Sequence, residues 1–351
     1  METKNIIDLF CGCGGFSKGF EQAGFNTVLA LDLWSDAIKT FNINHNNPVG
    51  LCKNIYDYTN EEIIEFAKDN SVKGIIGGPP CQGFSIVGKR EADDERNTLY
   101  LQYVRFVEQI KPEFFILENV KGLLNLEKGY FKNEIVNRFS ELGYNVCYKV
   151  LKASDYGVPQ KRERVFFVGL RKDLFGDLFF EFPEPTYEIV GTEDALSDLP
   201  SLDNNENNTE YKIEPQTPYQ ELMRKNSSII KNHEITVHTE QTKRIISLVP
   251  DGGGIKDIPE EYYQIRKYDS AFKRMNSKEP ATTIDCGHRN YFHYKENRVP
   301  SVREAARIQS FPDDFEFLGT KTSQYTQVGN AVPPLLAEII ANSILNMYQK
   351  N

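Results

Sequence analysis

The sequence lacks several things that would settle its class at once. Its six cysteines (11, 13, 52, 81, 147 and 286) are scattered over 351 residues and form no paired framework, so reduced thiols are expected. Cys11-Gly-Cys13 is the only close pair, and without two more ligands at a sensible spacing it predicts no metal site. No apolar run reaches the length of a bilayer span. The start of the chain has no basic, apolar and small-residue succession of a secretory signal. A cytoplasmic protein without a membrane anchor is expected. There is also no excess of positive charge. The net charge is −9, which taken alone argues against a polyanionic partner. Total charge does not say where charges lie, however. The stretch 181–221 is very acidic, whereas Lys89, Arg90, Arg96, Arg105, Lys161, Arg162 and Arg164 cluster in or near the motifs below.

What is present is an alternation. Short apolar runs (Asn5–Phe10, Thr27–Leu31, Gly74–Gly77, Phe114–Leu117 and Arg164–Val168) are separated by amphipathic stretches at Ser35–Asn44, Glu61–Lys68, Tyr100–Ile110 and Phe131–Leu142. Strands apolar throughout and separated by helices predict a doubly wound, mostly parallel α/β sheet covered on both faces. Ligands sit at the carboxyl ends of such strands. Beyond about residue 180 the texture changes to prolines, a polar asparagine-rich stretch at 203–208 and the triple glycine 252–254. The expected domains are therefore 1–184, an irregular 185–297, and a return segment 298–351. Ser301 with Glu304 predicts a capping box, and Pro333–Tyr348 a final helix.

Five stretches carry chemistry. Asp8-Leu-Phe-Cys-Gly-Cys-Gly-Gly-Phe16 follows a strand and opens a helix. Its glycines let a ligand approach the backbone, and Asp32 ends the next strand where an acid can bind ribose hydroxyls. The spacing is not the dinucleotide fingerprint, which weighs against an oxidoreductase. Gly77-Gly-Pro-Pro-Cys-Gln-Gly-Phe-Ser85 puts Cys81 on a loop past a strand. Two prolines before it and glycines on both sides make poor core material but a fixed, accessible place for a thiolate. Phe114-Phe-Ile-Leu-Glu-Asn-Val120 places Glu118 at the end of a neighbouring strand, set for acid–base work beside Cys81, although a surface glutamate is the commoner outcome. Gln160-Lys-Arg-Glu-Arg164 leads into a strand, with Arg162 and Arg164 expected on one side, or else forms a merely charged edge. Gln327-Val-Gly-Asn-Ala-Val-Pro-Pro334 reads as a loop before the last helix.

In this order, and with Arg298-Val-Pro-Ser-Val-Arg-Glu-Ala-Ala-Arg-Ile-Gln-Ser-Phe-Pro-Asp313, these stretches resemble the DNA cytosine-C5 methyltransferase family. The likeness covers residues 5 to about 170 and 298–348. It implies an S-adenosylmethionine-dependent methyltransferase fold and methyl transfer to C5 of cytosine in a specific duplex sequence, with base flipping and a covalent Cys81–C6 adduct. The catalytic residues implied are Cys81, Glu118, Arg162 and Arg164. The cofactor would be held by Asp8, Phe10, Gly12, Gly14, Gly15 and Phe16 in the first turn, with Asp32 and Leu33 after the second strand. Asn54, Ile55, Pro79, Asn330 and Val332 would complete that site. Pro80, Gln82, Gly83, Ser85, Lys89 and Arg96 would meet the DNA. Residues 185–297 would be the target-recognition domain. The protein is expected to act as a monomer alongside a companion restriction endonuclease. Two departures from the family pattern stand out: Asn54 replaces the usual acid, predicting weaker cofactor discrimination, and Cys11 replaces a frequent alanine. The rival readings are the tRNA-methylating branch of the same family, whose Cys-Phe-Thr tripeptide is absent, and a non-catalytic DNA-binding module, which leaves Cys81 with Glu118 unexplained.

Overall fold

The computed structural model describes residues 4–47, 49–80, 97–202, 209–265, 272–286 and 291–350. The chain divides into two compact units. The first comprises 1–152, 163–184 and 336–351; the second comprises 153–162 and 185–335.

The first unit is built on a seven-stranded sheet, ordered β3-β2-β1-β4-β5-β7-β6. The strands are β1 (Lys4–Leu9), β2 (Phe25–Asp32), β3 (Gly50–Cys52), β4 (Val72–Gly77), β5 (Phe114–Val120), β6 (Tyr144–Lys152) and β7 (Glu163–Arg171). β1 to β5 pair in parallel, while β7 runs antiparallel to both β5 and β6. Strand alternation explains the two-sided core. Ile7, Leu9, Leu29, Leu31, Ile75, Phe115, Leu117 and Phe167 pack with helices α3 (Asn60–Asp69), α4 (Asn97–Ile110) and α5 (Tyr130–Glu141). Their neighbours Phe114 and Phe166 point the other way and meet Phe20 and Phe16 of helix α1 (Gly15–Gln22). Helix α2 (Ser35–Asn44) packs beside β2 and β3, and Thr59 and Glu62 form a full capping box on α3.

The predicted strands and helices of this unit are present with small boundary shifts. Two strands, β3 and β6, were not anticipated, nor was the reversed direction of β7. The switch in strand order falls between β1 and β4, so the edge formed by the ends of β1, β2, β4 and β5 is the ligand edge of such a sheet. Reversal brings the start of β7 to that same edge, where Arg164 pairs with Val120.

The second unit is irregular, as its sequence texture predicted, and a lattice of buried ion pairs holds it. Arg307 bonds Asp198 and Asp313, and Arg298 bonds Glu296 and Glu304, all nearly without exposure. Such pairs are stable only when their hydrogen-bonding capacity is filled, as here. This lattice is why residues 298–335 sit in the second unit rather than in the expected return segment; only 336–351 belong to the first. The Ser301–Glu304 capping box forms as predicted. The expectation for 327–334 needs correction: Gln327–Asn330 is the last turn of a helix, Lys321–Asn330, not a loop. By composition the helical stretch 321–350 is apolar enough to cross a membrane, contrary to the sequence expectation. It is interrupted before Pro334, and more than half of its apolar window is buried inside the protein.

Candidate active site

At the end of β1 the chain turns sharply. Phe10 adopts φ 62°, the left-handed region that a bulky residue rarely occupies, and such strain persists only where its surroundings enforce it. Asp32, at the end of β2, is one of the enforcers. Its carboxylate accepts the Gly12 N–H at 2.8 Å and the Trp34 N–H at 2.8 Å. Burial pushes its carboxyl above the usual range, while those N–H groups pull it back. Leu33 follows with 62% of its surface exposed, a bare apolar side chain beside an acid. Asn54, also near this edge, accepts the Tyr56 N–H at 3.2 Å and so caps the short turn beginning at Ile55.

Part of the predicted cofactor set lies beneath the surface. Asp8 is 1% exposed, and its carboxylate accepts the Ser17 hydroxyl at 2.6 Å. Phe16 packs edge-on against Phe20 and Phe166, and Ile55 is buried too. All three side chains are buried in this structure. The turn, the Asp32 carboxylate and the exposed Leu33 fit a ligand with a hydroxylated sugar and a flat apolar base.

Further along the edge, β4 delivers Gly78, Pro79 and Pro80. Pro79 is buried and Pro80 exposed. The Asn119 amide donates to the Pro79 carbonyl at 3.0 Å and so pins the peptide two residues ahead of Cys81. Glu118, one residue earlier on β5, pairs with Arg164 at 3.0 Å, both side chains being largely buried. Glu118 also lies over Gly78, where a Cβ would stand 3.0 Å from its Oε2. The structure thus brings Glu118, Arg164 and the backbone leading to Cys81 together. Cys81, Gln82, Gly83, Ser85, Lys89 and Arg96 lie outside the described residues.

Arg162 immediately precedes β7. It belongs to the second unit, is 2% exposed, and donates to the carbonyls of Gly329 (2.9 Å) and Asn330 (3.4 Å). In that unit the Asn330 side chain accepts the Cys286 thiol at 2.6 Å, and Val332 is buried. Sequence reasoning missed Asn119, which stood within the quoted Glu-Asn-Val stretch. It also missed Arg105, which from α4 donates to the carbonyls of Ile55 (2.9 Å) and Tyr58 (2.7 Å). Only the basic residue near the motifs hinted at the latter.

The chain is similar to known DNA methyltransferases along its whole length. The family described as C-5 cytosine-specific DNA methylase matches residues 4–346. The chain is 40% identical to Type II methyltransferase M.DdeI of Desulfomicrobium norvegicum over 371 residues, covering 97% of this chain and 88% of that protein. It is 41% identical to Type II methyltransferase M1.HphI of Haemophilus parahaemolyticus, covering 97% and 86%. Among solved structures, a putative DNA modification methyltransferase encoded within an E. coli prophage superposes with a TM-score of 0.83 at 31% identity, covering 99% of this chain and 100% of that one. With the family matched from the first strand to the last helix, the chain belongs to the C-5 cytosine-specific DNA methylases and is a DNA cytosine-C5 methyltransferase.

Proposed function

We propose that this chain methylates one cytosine within a specific duplex sequence, using Cys81 as nucleophile, Glu118 as the acid at the ring and Arg164 as its anchor. The observation that carries the reading is the partly buried Glu118–Arg164 pair, with Glu118 seated over Gly78 on the strand end that leads into Cys81. Cytosine C5 is a poor nucleophile. Addition of the Cys81 thiolate to C6 forms a C–S bond and moves the ring electrons toward C5. Glu118, taking up a proton from solvent as the base docks, donates it in a hydrogen bond to N3 and accepts from the amino group, and so stabilises the negative charge that moves into the ring. Arg164 fixes the rotamer of Glu118 and is free to turn a further N–H toward the base carbonyl. After transfer, loss of the C5 proton and departure of the thiolate restore the aromatic ring. Duplex DNA hides C6, so the base must leave the stack, at a cost of a few kcal/mol.

S-adenosylmethionine, when bound, supplies an electrophilic methyl group. The 12–15 turn, Asp32 and Leu33 would hold it, with Asn54 contributing an uncharged acceptor. The second unit would read the target sequence. The enzyme would protect DNA from a companion endonuclease, a reading that its likeness to Type II methyltransferases supports. It would work as a monomer in the cytoplasm, where that DNA lies. The test is tritiated methyl transfer from S-adenosylmethionine to duplex DNA and to tRNA. Transfer to DNA that disappears in Cys81→Ser supports the reading. Undiminished transfer by Cys81→Ser overturns the mechanism, and transfer to tRNA alone overturns the substrate.

A further inference from the structure

The glycine turn is held from a second side by a residue that the reaction does not use. His45 ends α2 and is 6% exposed. Its ring stacks on Phe41, with centroids 3.9 Å apart and planes 12° from parallel. Nδ1 lies 2.9 Å from a Glu21 carboxylate oxygen on α1, with both side chains nearly or wholly buried. The opposite ring edge faces Gly14, where a Cβ would stand 2.2 Å from Nε2 and 2.6 Å from the Phe41 ring. Gly14 is the left-handed N-cap of α1 (φ 91°) and has no side-chain cap of its own. The imidazole therefore occupies the space that a side chain at position 14 would fill.

The geometry points to His45 as a positioning residue for the methyl-donor turn, with Glu21 fixing its ring so that the imidazole backs Gly14. This rests on the reading that the 12–15 turn takes S-adenosylmethionine. The turn is then clamped at both ends, by Asp32 on the Gly12 N–H and by His45 behind Gly14. Neither clamp touches the reacting carbon, so each sets how well the turn fits its ligand and not the chemical step. A ring ordered by a carboxylate and an aromatic neighbour keeps the turn in its bound shape before the ligand arrives, which lowers the ordering cost of binding.

The chain's single tryptophan, Trp34, donates its backbone N–H to the same Asp32 and is a built-in reporter. S-adenosylhomocysteine is titrated into the full-length protein while Trp34 fluorescence is followed, with the ligand-induced thermal shift as a second readout. His45→Ala and Glu21→Ala are expected to weaken binding by about tenfold, the scale of one lost charge-assisted contact. Glu21→Gln, whose amide oxygen can still lie against the imidazole Nδ1, should restore near-native affinity. KM for the cofactor should rise in step with the dissociation constant, while KM for DNA stays in place. Native affinity in a His45→Ala protein with native circular dichroism overturns the inference. So does a loss that spreads equally to KM for DNA. Should His45→Ala not fold, Glu21→Ala against Glu21→Gln decides alone. Wild-type protein that gives neither a fluorescence change nor a thermal shift overturns the cofactor assignment, and this inference with it.

Discussion

Two acids of the first unit face different demands. Glu118 is paired, so its charge has a partner before any substrate arrives. Glu118→Gln keeps the shape but loses the proton and the ion pair. It is expected to lower kcat by roughly 10²–10⁴-fold, the range for a positioned acid or base, with KM for the cofactor little changed. Single-turnover methyl transfer checks this, and a Gln variant of native rate would remove Glu118 from the chemistry. Asp8 accepts the Ser17 hydroxyl, yet burial pushes its carboxyl from 3.8 up to about 7. The folded protein keeps a proton there that the unfolded chain gives up at lower pH. The stability due to this group is therefore complete below about pH 4 and is lost as pH rises through about 7. Asp8→Asn removes that loss. The variant should match wild type near pH 4 and exceed it at pH 8, by at most on the order of 4 kcal/mol. Melting curves across that range test the point, and parallel curves for the two proteins would refute it.

At the scale of elements, side chains reaching between strands and helices decide where the edge residues stand. Asn119 ties β5 to the peptide after β4, and Arg105 ties α4 to the 55–58 turn. Arg105→Ala should raise KM for the cofactor several-fold with less effect on KM for DNA; equal effects on both would show that α4 does not act through that turn. In the second unit the Ser301 hydroxyl caps its helix and also meets His233 at 2.8 Å. Ser301→Ala should therefore cost about 1–2 kcal/mol in denaturant unfolding, the upper part of the range for a lost cap. The same view explains what the sequence revealed. The strands β1, β2, β4, β5 and β7 were legible because a sheet buried on both faces needs near-continuous apolar runs. β3 has three residues, two of them exposed, and β6 runs through half-exposed tyrosine and lysines at the sheet edge, so neither stands out from loop. The helix Lys321–Asn330 has no apolar period. It is fixed by its Thr320 cap and by burial of Tyr325 and Val328, which are tertiary facts. Cys81, Glu118 and Arg164 were legible as motif residues. That Glu118 meets Arg164 depends on the direction of β7, which no local pattern encodes.

At the scale of the molecule, the first unit is assembled from three separate stretches of chain. Its last stretch carries Leu336, Ile340, Ile344 and Met347, all buried. Tyr348 packs on Phe175 and lies under the Lys4 ammonium at 3.6 Å. Ending the chain at Leu335 would strip the apolar face of that helix from the unit. Four such side chains at about 1.5–3 kcal/mol each exceed half the stability of an ordinary domain. The shortened protein should lose cooperative thermal unfolding; a sharp transition near that of the full chain would disprove this.

The three-part makeup of the first unit also bears on the enzyme's birth. Domains usually fold as they leave the ribosome, the amino-terminal one first. Here β1 to β7 emerge early, but the piece that completes their unit is translated only after the whole of the second unit. The first unit should therefore wait, part-formed, while the second is made. A ribosome that stops before residue 336 would release a polypeptide able to begin the sheet but not to finish its unit, so methylation waits on the last helix.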